Sequence, residues 1–180
     1  MCEVYPFSED SYFFSEILKK QLTKKLRVSD LKFLEMGCGG GINLQTAFNA
    51  GIKKQNIFAC DINLNAVDYC RKLGFNCMKS NLFENIKSKF DLIIFNPPYL
   101  PEDKREPRDS RLATTGGKKG SEIVNKFLKQ AKFHLTDKGK IFLITSSLTK
   151  GIKWLNYKKI LLAKKKLFFE EIYVWELTGK

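Results

Sequence analysis

Histidine is nearly absent from this 180-residue chain, which has only His134. Chemistry that pairs a histidine base with a serine or cysteine has little to work with here. Cysteine occurs five times, at Cys2, Cys38, Cys60, Cys70 and Cys77, an odd number with no CxxC pair. Neither a zinc site nor a disulfide framework is expected, and the thiols read as buried and reduced. Long apolar runs are missing as well, and none approaches the roughly 18 to 20 residues of a membrane helix. The start, MCEVYPFSED, lacks a basic stretch followed by an apolar core. No secretory leader is therefore expected, and a cytoplasmic location is. Low-complexity linkers and internal repeats are lacking too, so residues 1–180 read as one domain.

What is present is core-forming material, 43% hydrophobic and 13% aromatic, which argues against disorder. Acidic residues are few, 19 against 32 lysines and arginines, for a formal net charge of +13. Such an excess suits an anionic partner such as RNA, and it equally suits a lysine-rich surface kept for solubility or heat.

Hydrophobic spacing predicts alternating helices and strands. SYFFSEILKKQLTKKL has Phe13, Phe14, Ile17, Leu18, Leu22 and Leu26 at helical spacing, with Asp10 or Ser11 near the N-cap. LKFLEMGCGGG is a short strand running into glycines, and INLQTAFNAG a helix closed by Gly51. QNIFACDI, FNCMKSNL, KFDLIIFN and GKIFLITSS read as further strands, with helices in NLNAVDYCRKLG and SEIVNKFLKQAKFHL. This alternation predicts an α/β fold with a parallel sheet and right-handed crossovers. At the end, EEIYVWEL reads as a strand, while KKILLAK fits a helix or a strand by periodicity.

Ligands in open α/β sheets sit beyond the C-terminal strand ends. There the chain places Glu35, the glycines Gly37, Gly39, Gly40 and Gly41, then Asp61, then Asn81-Leu82, then Asn96-Pro97-Pro98-Tyr99. Glycines allow a tight turn and close approach of a ligand. Asp61 follows at the spacing at which a carboxylate grips ribose hydroxyls. Gly37-x-Gly39-x-Gly41 lacks the GxGxxG register that seats a pyrophosphate, and Glu35 beside the loop suits a cationic sulfonium better than a diphosphate.

The tetrad after the fourth strand is an acceptor-rich wall. Pro97 and Pro98 have no N–H, so carbonyl oxygens dominate, and the Asn96 side chain adds another acceptor. A planar NH2 group has two donors, and two converging acceptors would hold it and aim its nitrogen. Tyr99 offers a flat face for stacking. Methyl transfer from a sulfonium needs an in-line approach above all, so orientation by such a wall matters.

LEMGCGGG, ACDIN, FDLIIFNPPYL and TTGGKKGSEIV, in this order and spacing, resemble a class I S-adenosylmethionine-dependent methyltransferase. They are most similar to the release-factor glutamine methyltransferase family, in the small archaeal and eukaryotic branch without the bacterial N-terminal helical domain. VYPFSEDSYFF resembles that branch's opening motif. The resemblance implies a Rossmann-like, mostly parallel seven-stranded sheet with helices on both faces and an antiparallel C-terminal strand. It implies S-adenosyl-L-methionine as cofactor, lined by Ser11, Glu35, Gly37, Gly39, Asp61, Ile62, Asn81, Leu82 and Asn96, with Asn81 and Leu82 flanking the adenine. The catalytic set would be Asn96, Pro97 and Tyr99, with Pro98 completing the substrate wall. Residues 1–30 would cover the cofactor and 101–119 would form a substrate loop.

Some positions depart from the family pattern. Pro6 comes one place early, Thr114-Thr115 stands where an aromatic residue is usual, and Asn81 replaces a common aspartate. Segment 148–165 is short for a crossover helix, and the resemblance implies a shortened helix followed by a hairpin.

An amide NH2 and a base NH2 pose the same geometric problem, so three functions stand at this point. The resemblance favours the glutamine of a Gly-Gly-Gln motif in a peptide chain release factor. Adenine-N6 or guanine-N2 methylation is the second, against which stands the lack of room for a separate recognition module. A non-catalytic RNA- or partner-binding domain is the third, against which stand the intact Asp61 and Asn96. The resemblance also implies a small zinc-binding activator protein, and the charge leaves contact with RNA open.

Overall fold

The computed structural model describes residues 8–25, 27–103 and 105–179. Pro6 and Cys2 lie outside the described residues. Helix α1 (Glu9–Leu22) starts two residues before Ser11, because Ser8 is its extended N-cap, and Glu9 and Asp10 fill the electrostatically favourable first turn. It buries Phe14, Leu18 and Leu22. Strand β1 (Phe33–Met36) leads into the glycine loop and α2 (Ile42–Asn49). Then follow β2 (Ile57–Asp61), α3 (Leu64–Lys72), β3 (Asn76–Lys79) and β4 (Phe90–Phe95). Asn63 caps α3 by accepting the Asn65 N–H at 3.0 Å.

The charged insert after β4 contains a short helix, α4 (Arg108–Thr114), that periodicity does not announce. Helix α5 (Glu122–Ala131) precedes β5 (Leu135–Ser146). The ambiguous tail is a hairpin of two long strands, β6 (Lys158–Leu167) and β7 (Glu170–Thr178). The expected shortened helix is absent: residues 147–157 form turns and irregular chain. Too few residues separate β5 from β6 for a helix and its two connections.

The strands form one sheet in the order β3-β2-β1-β4-β5-β7-β6, parallel from β3 to β5 and antiparallel where β7 inserts. Both faces are covered, which the parallel region requires. Along β4, Leu92 and Ile94 join one core with Phe14, Leu18, Leu44 and Val67 from α1, α2 and α3. Ile93 and Phe95 join the other with Val124, Phe127 and Leu128 from α5. Alternation at period 2 thus feeds two cores from one strand. Each such fully buried side chain contributes roughly 1.5–3 kcal/mol of transfer free energy.

The strand order reverses between β1 and β4, and both strands end there in irregular chain. At this switch point the connections diverge and leave a crevice. The outermost strands differ in character. No residue of β6 is buried, and it carries Lys158, Lys159, Lys164, Lys165 and Lys166, charges that guard an edge against further pairing.

Candidate active site

A cavity of about 1060 Å³ opens at the switch point. Every residue expected to bind cofactor or substrate lines it: Ser11, Glu35, Gly37, Gly39, Asp61, Ile62, Asn81, Leu82, Asn96, Pro97, Pro98 and Tyr99. Ser8 to Ser11 form part of its wall, as do Ser110, Leu112, Ala113 and Thr114 of the insert.

The floor is the turn after β1. Cys60 O accepts the N–H of Gly37 at 2.8 Å and of Cys38 at 3.2 Å, which pins the loop to the end of β2. Gly39 has φ +47°, and a Cβ built on it would meet nothing within 4 Å, so the loop backbone is open to a ligand. Asp61 holds this loop from the side: Oδ2 accepts Gly39 N–H at 3.0 Å and Oδ1 accepts Asn63 N–H at 2.8 Å. Burial raises the Asp61 pKa, and those two N–H groups oppose the rise.

Glu35 is 3% exposed and lies under the loop. Its Oε1 accepts Asn43 Nδ2 at 2.7 Å, while Oε2 is buried with no partner among the described residues. Burial is the main cause that pushes its pKa well above the ordinary carboxylate value; Asn43 opposes the rise, and Cys77 and Asp61 add to it. Asn81 donates Nδ2 to Glu84 Oε1 at 2.9 Å, so its carbonyl oxygen is the end left to act as an acceptor. The acceptor that an aspartate would supply there is therefore retained.

The tetrad leaves β4 because Pro97 and Pro98 cannot donate to a ladder. Two glycines of TTGGKKG, Gly116 and Gly120, are explained by its packing. A Cβ at Gly116 would lie 2.5 Å from Pro98 O, and one at Gly120 would lie 2.3 Å from Tyr99 O. The backbone of the insert thus presses directly on the tetrad. Leu100 N donates to Thr114 O and Gly116 N to Leu100 O, each at 2.9 Å. Thr149 Oγ1 also donates to Tyr99 O at 2.9 Å. Together these contacts set the tetrad's shape.

Asn96 Nδ2 and Tyr99 Oη both donate to Asp10 Oδ2, each at 3.1 Å, and Asn96 Oδ1 is buried without a partner among the described residues. Tyr99 is therefore tethered through its hydroxyl as well as offering a ring face. Asp10, read from sequence as a cap, was missed as a site residue, though it sits inside the quoted SED stretch. Asn43 and Ser80 were also missed, as were Phe168, Phe169 and Glu170 at the tip of the β6–β7 turn, all of which line the cavity. Phe168 is 90% exposed and Phe169 75%.

The thiols Cys38, Cys60, Cys70 and Cys77 are free and buried, with Cys38 and Cys77 sulfurs 3.4 Å apart. Among the described residues no three or more potential ligands are grouped to hold a metal, and no helix is long and apolar enough to cross a membrane.

The donor balance shows what the cavity fits. Among the described residues its carboxylates are Glu9, Asp10, Glu35, Asp61 and Glu170, against one lysine, Lys126. Three buried side-chain oxygens in its wall, on Glu35, Asn43 and Asn96, lack donors among the described residues. Such a wall suits a cationic ligand rich in N–H and O–H groups and rejects a polyphosphate.

Sheet order, glycine loop and acidic cleft define a Rossmann-like methyltransferase. The sequence profile of the Methyltransferase small domain family matches residues 7–166. The chain belongs to that family. It is 36% identical to a protein of Methanocaldococcus jannaschii provisionally named a protein N5-glutamine methyltransferase, over 97% of this chain and 93% of that one. The release factor glutamine methyltransferase of Streptococcus pneumoniae is 32% identical over 71% of this chain and 50% of its own. Among solved structures, the E. cuniculi Mtq2–Trm112 complex responsible for methylating the translation termination factor eRF1 matches with a TM-score of 0.76, at 21% identity and full coverage of both chains.

Proposed function

We propose that the protein transfers a methyl group from S-adenosyl-L-methionine to the side-chain amide of the glutamine in the Gly-Gly-Gln motif of a peptide chain release factor. One observation carries the reading: Asn96 Oδ1, buried and unpartnered beside two prolines, is an acceptor waiting for an N–H. The names of two relatives that match over most of this chain favour glutamine over a base.

S-adenosylmethionine, when bound, supplies an electrophilic methyl group on a cationic sulfur. Asp61 would accept the ribose hydroxyls, and Glu35 Oε2 with Asn43 Oδ1 would accept from the ammonium and hydroxyl donors of the ligand. Ile62 and Leu82 offer apolar contact for the adenine beside Asn81, with Ser11, Gly37 and Gly39 completing the wall. Asn96 Oδ1 and the Pro97 carbonyl would accept the two amide protons and so place the nitrogen lone pair on the methyl axis. Tyr99 and Pro98 would flank the planar amide. The N–C bond would form as the methyl–sulfur bond breaks, with that bond's electron pair left on the now neutral sulfur, and one of the two nitrogen protons would depart to solvent.

The acceptor protein would reach the cavity past Phe168 and Phe169, which continue its wall onto the surface. A small activator protein, zinc-binding in the branch that the sequence resembles, would join at the free edge of β3. Among the described residues that edge is unpaired, it is not lysine-studded like β6, and α3, which packs on β3, exposes Tyr69 with Leu73 just past its end. The lysines of β6 would face ribosomal RNA, and the protein would act in the cytoplasm. Labelled cofactor offered with a Gly-Gly-Gln release factor in one tube and RNA or DNA in another tests the reading. Label in the protein is expected; label only in nucleic acid would overturn it.

A further inference from the structure

An asparagine is nearly symmetric in shape and opposite in hydrogen-bond polarity at its two ends. Its usefulness as an acceptor depends on what holds the other end. Here that end is held by Asp10, whose Oδ2 accepts both Asn96 Nδ2 and Tyr99 Oη at 3.1 Å. An ionised carboxylate only accepts, so it can grip Asn96 by its NH2 group and in no other way. Flipping the amide would set oxygen against carboxylate at one end and turn a donor toward the donating substrate at the other. The oxygen left facing away is the buried, unpartnered Oδ1.

The other oxygen of Asp10 accepts the Ser11 N–H at 2.6 Å and the Ser8 hydroxyl. Those local contacts are what a first-turn acid needs to order a helix start. The Oδ2 contacts cross 86 and 89 residues of chain and do nothing for the helix. They join the start of α1 to the tetrad.

We propose that Asp10 is a positioning residue: it locks the Asn96 amide with oxygen toward the reacting nitrogen and ties the Tyr99 ring to the same point. Because α1 carries it, the wall over the cavity and the acceptor clamp are set together. The inference rests on the reading of the site as an N-methyltransferase of an NH2 group.

Asp10→Asn tests it, since the amide keeps the size of the carboxylate but has one acceptor oxygen instead of two. In the full chain, with its activator where one is needed, turnover on the Gly-Gly-Gln release factor is expected to fall about tenfold or more. KM for the acceptor should change less, and the cofactor Kd by calorimetry should stay within about threefold. Turnover within about twofold of the parent overturns the proposal, as does an equal loss of turnover and cofactor affinity, which would make Asp10 a cofactor ligand.

The apo protein gives a readout independent of activity and of the variant's folding. In the ¹⁵N spectrum, the Asn96 side-chain amide (assigned by its loss in Asn96→Ala) should show one proton shifted downfield and protected from exchange. In Asp10→Asn it should revert to the free pattern. A free pattern in the parent protein overturns the lock. A parent protein that methylates nothing while its Asn96 amide is protected would sink the function and leave the lock standing.

Discussion

Glu35 and Asn43 share one hydrogen bond, Nδ2 to Oε1 at 2.7 Å, and each keeps a buried oxygen, Oε2 and Oδ1, with no partner among the described residues. Holding a charged carboxylate at 3% exposure costs the protein stability. A cationic ligand donating to both oxygens offsets that cost on binding.

Glu35→Gln should accordingly stabilise the apo protein while weakening the cofactor. Burial raises the Glu35 pKa above its ordinary 4.5, so the folded state prefers the protonated form. That preference favours folding below pH 4.5 and is lost as pH rises through the raised folded value. At neutral pH the glutamine, which has no charge to bury, should melt higher by roughly 2–4 °C per kcal/mol recovered. The gain should vanish near pH 4, where the parent residue is protonated. Calorimetric melts of the two proteins across pH check this, and a gain independent of pH would reject the cause.

Asn96→Ala removes the unpartnered acceptor. Methyl transfer should fall about a hundredfold, as for loss of one oriented polar contact to the reacting group. Cofactor affinity, measured by titration calorimetry, should stay within a few-fold. Unchanged turnover would remove Asn96 from the mechanism.

Asp61→Ala separates binding from chemistry in the opposite sense. The loss of the ribose acceptor and of the Gly39 N–H anchor at 3.0 Å should weaken the cofactor about tenfold to a hundredfold. Equal affinity in the variant would sink the ribose assignment. At saturating cofactor, turnover should recover much of its parent value.

Gly116→Ala probes the buttress behind the tetrad. A methyl 2.5 Å from Pro98 O and 2.3 Å from Gly120 O meets backbone on both sides, so the insert must shift. A loss of roughly 1–3 kcal/mol is expected, with reduced turnover. A melting temperature equal to the parent's would show that the insert yields freely.

Phe168 and Phe169 should matter to the protein acceptor alone. Replacing both with serine is expected to raise KM for the release factor about tenfold, in the range of aromatic contact residues. KM for a short Gly-Gly-Gln peptide should stay near its parent value. Equal effects on both would place the aromatics in the cavity chemistry instead.

What the sequence determines by itself is local. The short apolar run FDLIIF followed by two prolines makes a buried strand that must end in an acceptor wall, because proline has no N–H to offer. Glycines after β1 and the acid after β2 share one sheet edge because parallel strands all end there. That is why every cofactor and substrate residue expected from sequence lines one cavity. The tertiary structure decided what depends on contacts distant along the chain. Asp10 meets Asn96 across 86 residues, and no pattern within α1 shows that its second oxygen is used. The tail was ambiguous because KKILLAK fits either period; pairing with β7 from Lys158 to Leu167 made it a strand. Nothing within TTGGKKG shows why Gly116 must be glycine, and only the approach of Pro98 O shows that a side chain has no room there. Side-chain type and spacing specify which groups reach the sheet edge, whereas the polarity each presents is set by the partner that folding brings to its other end.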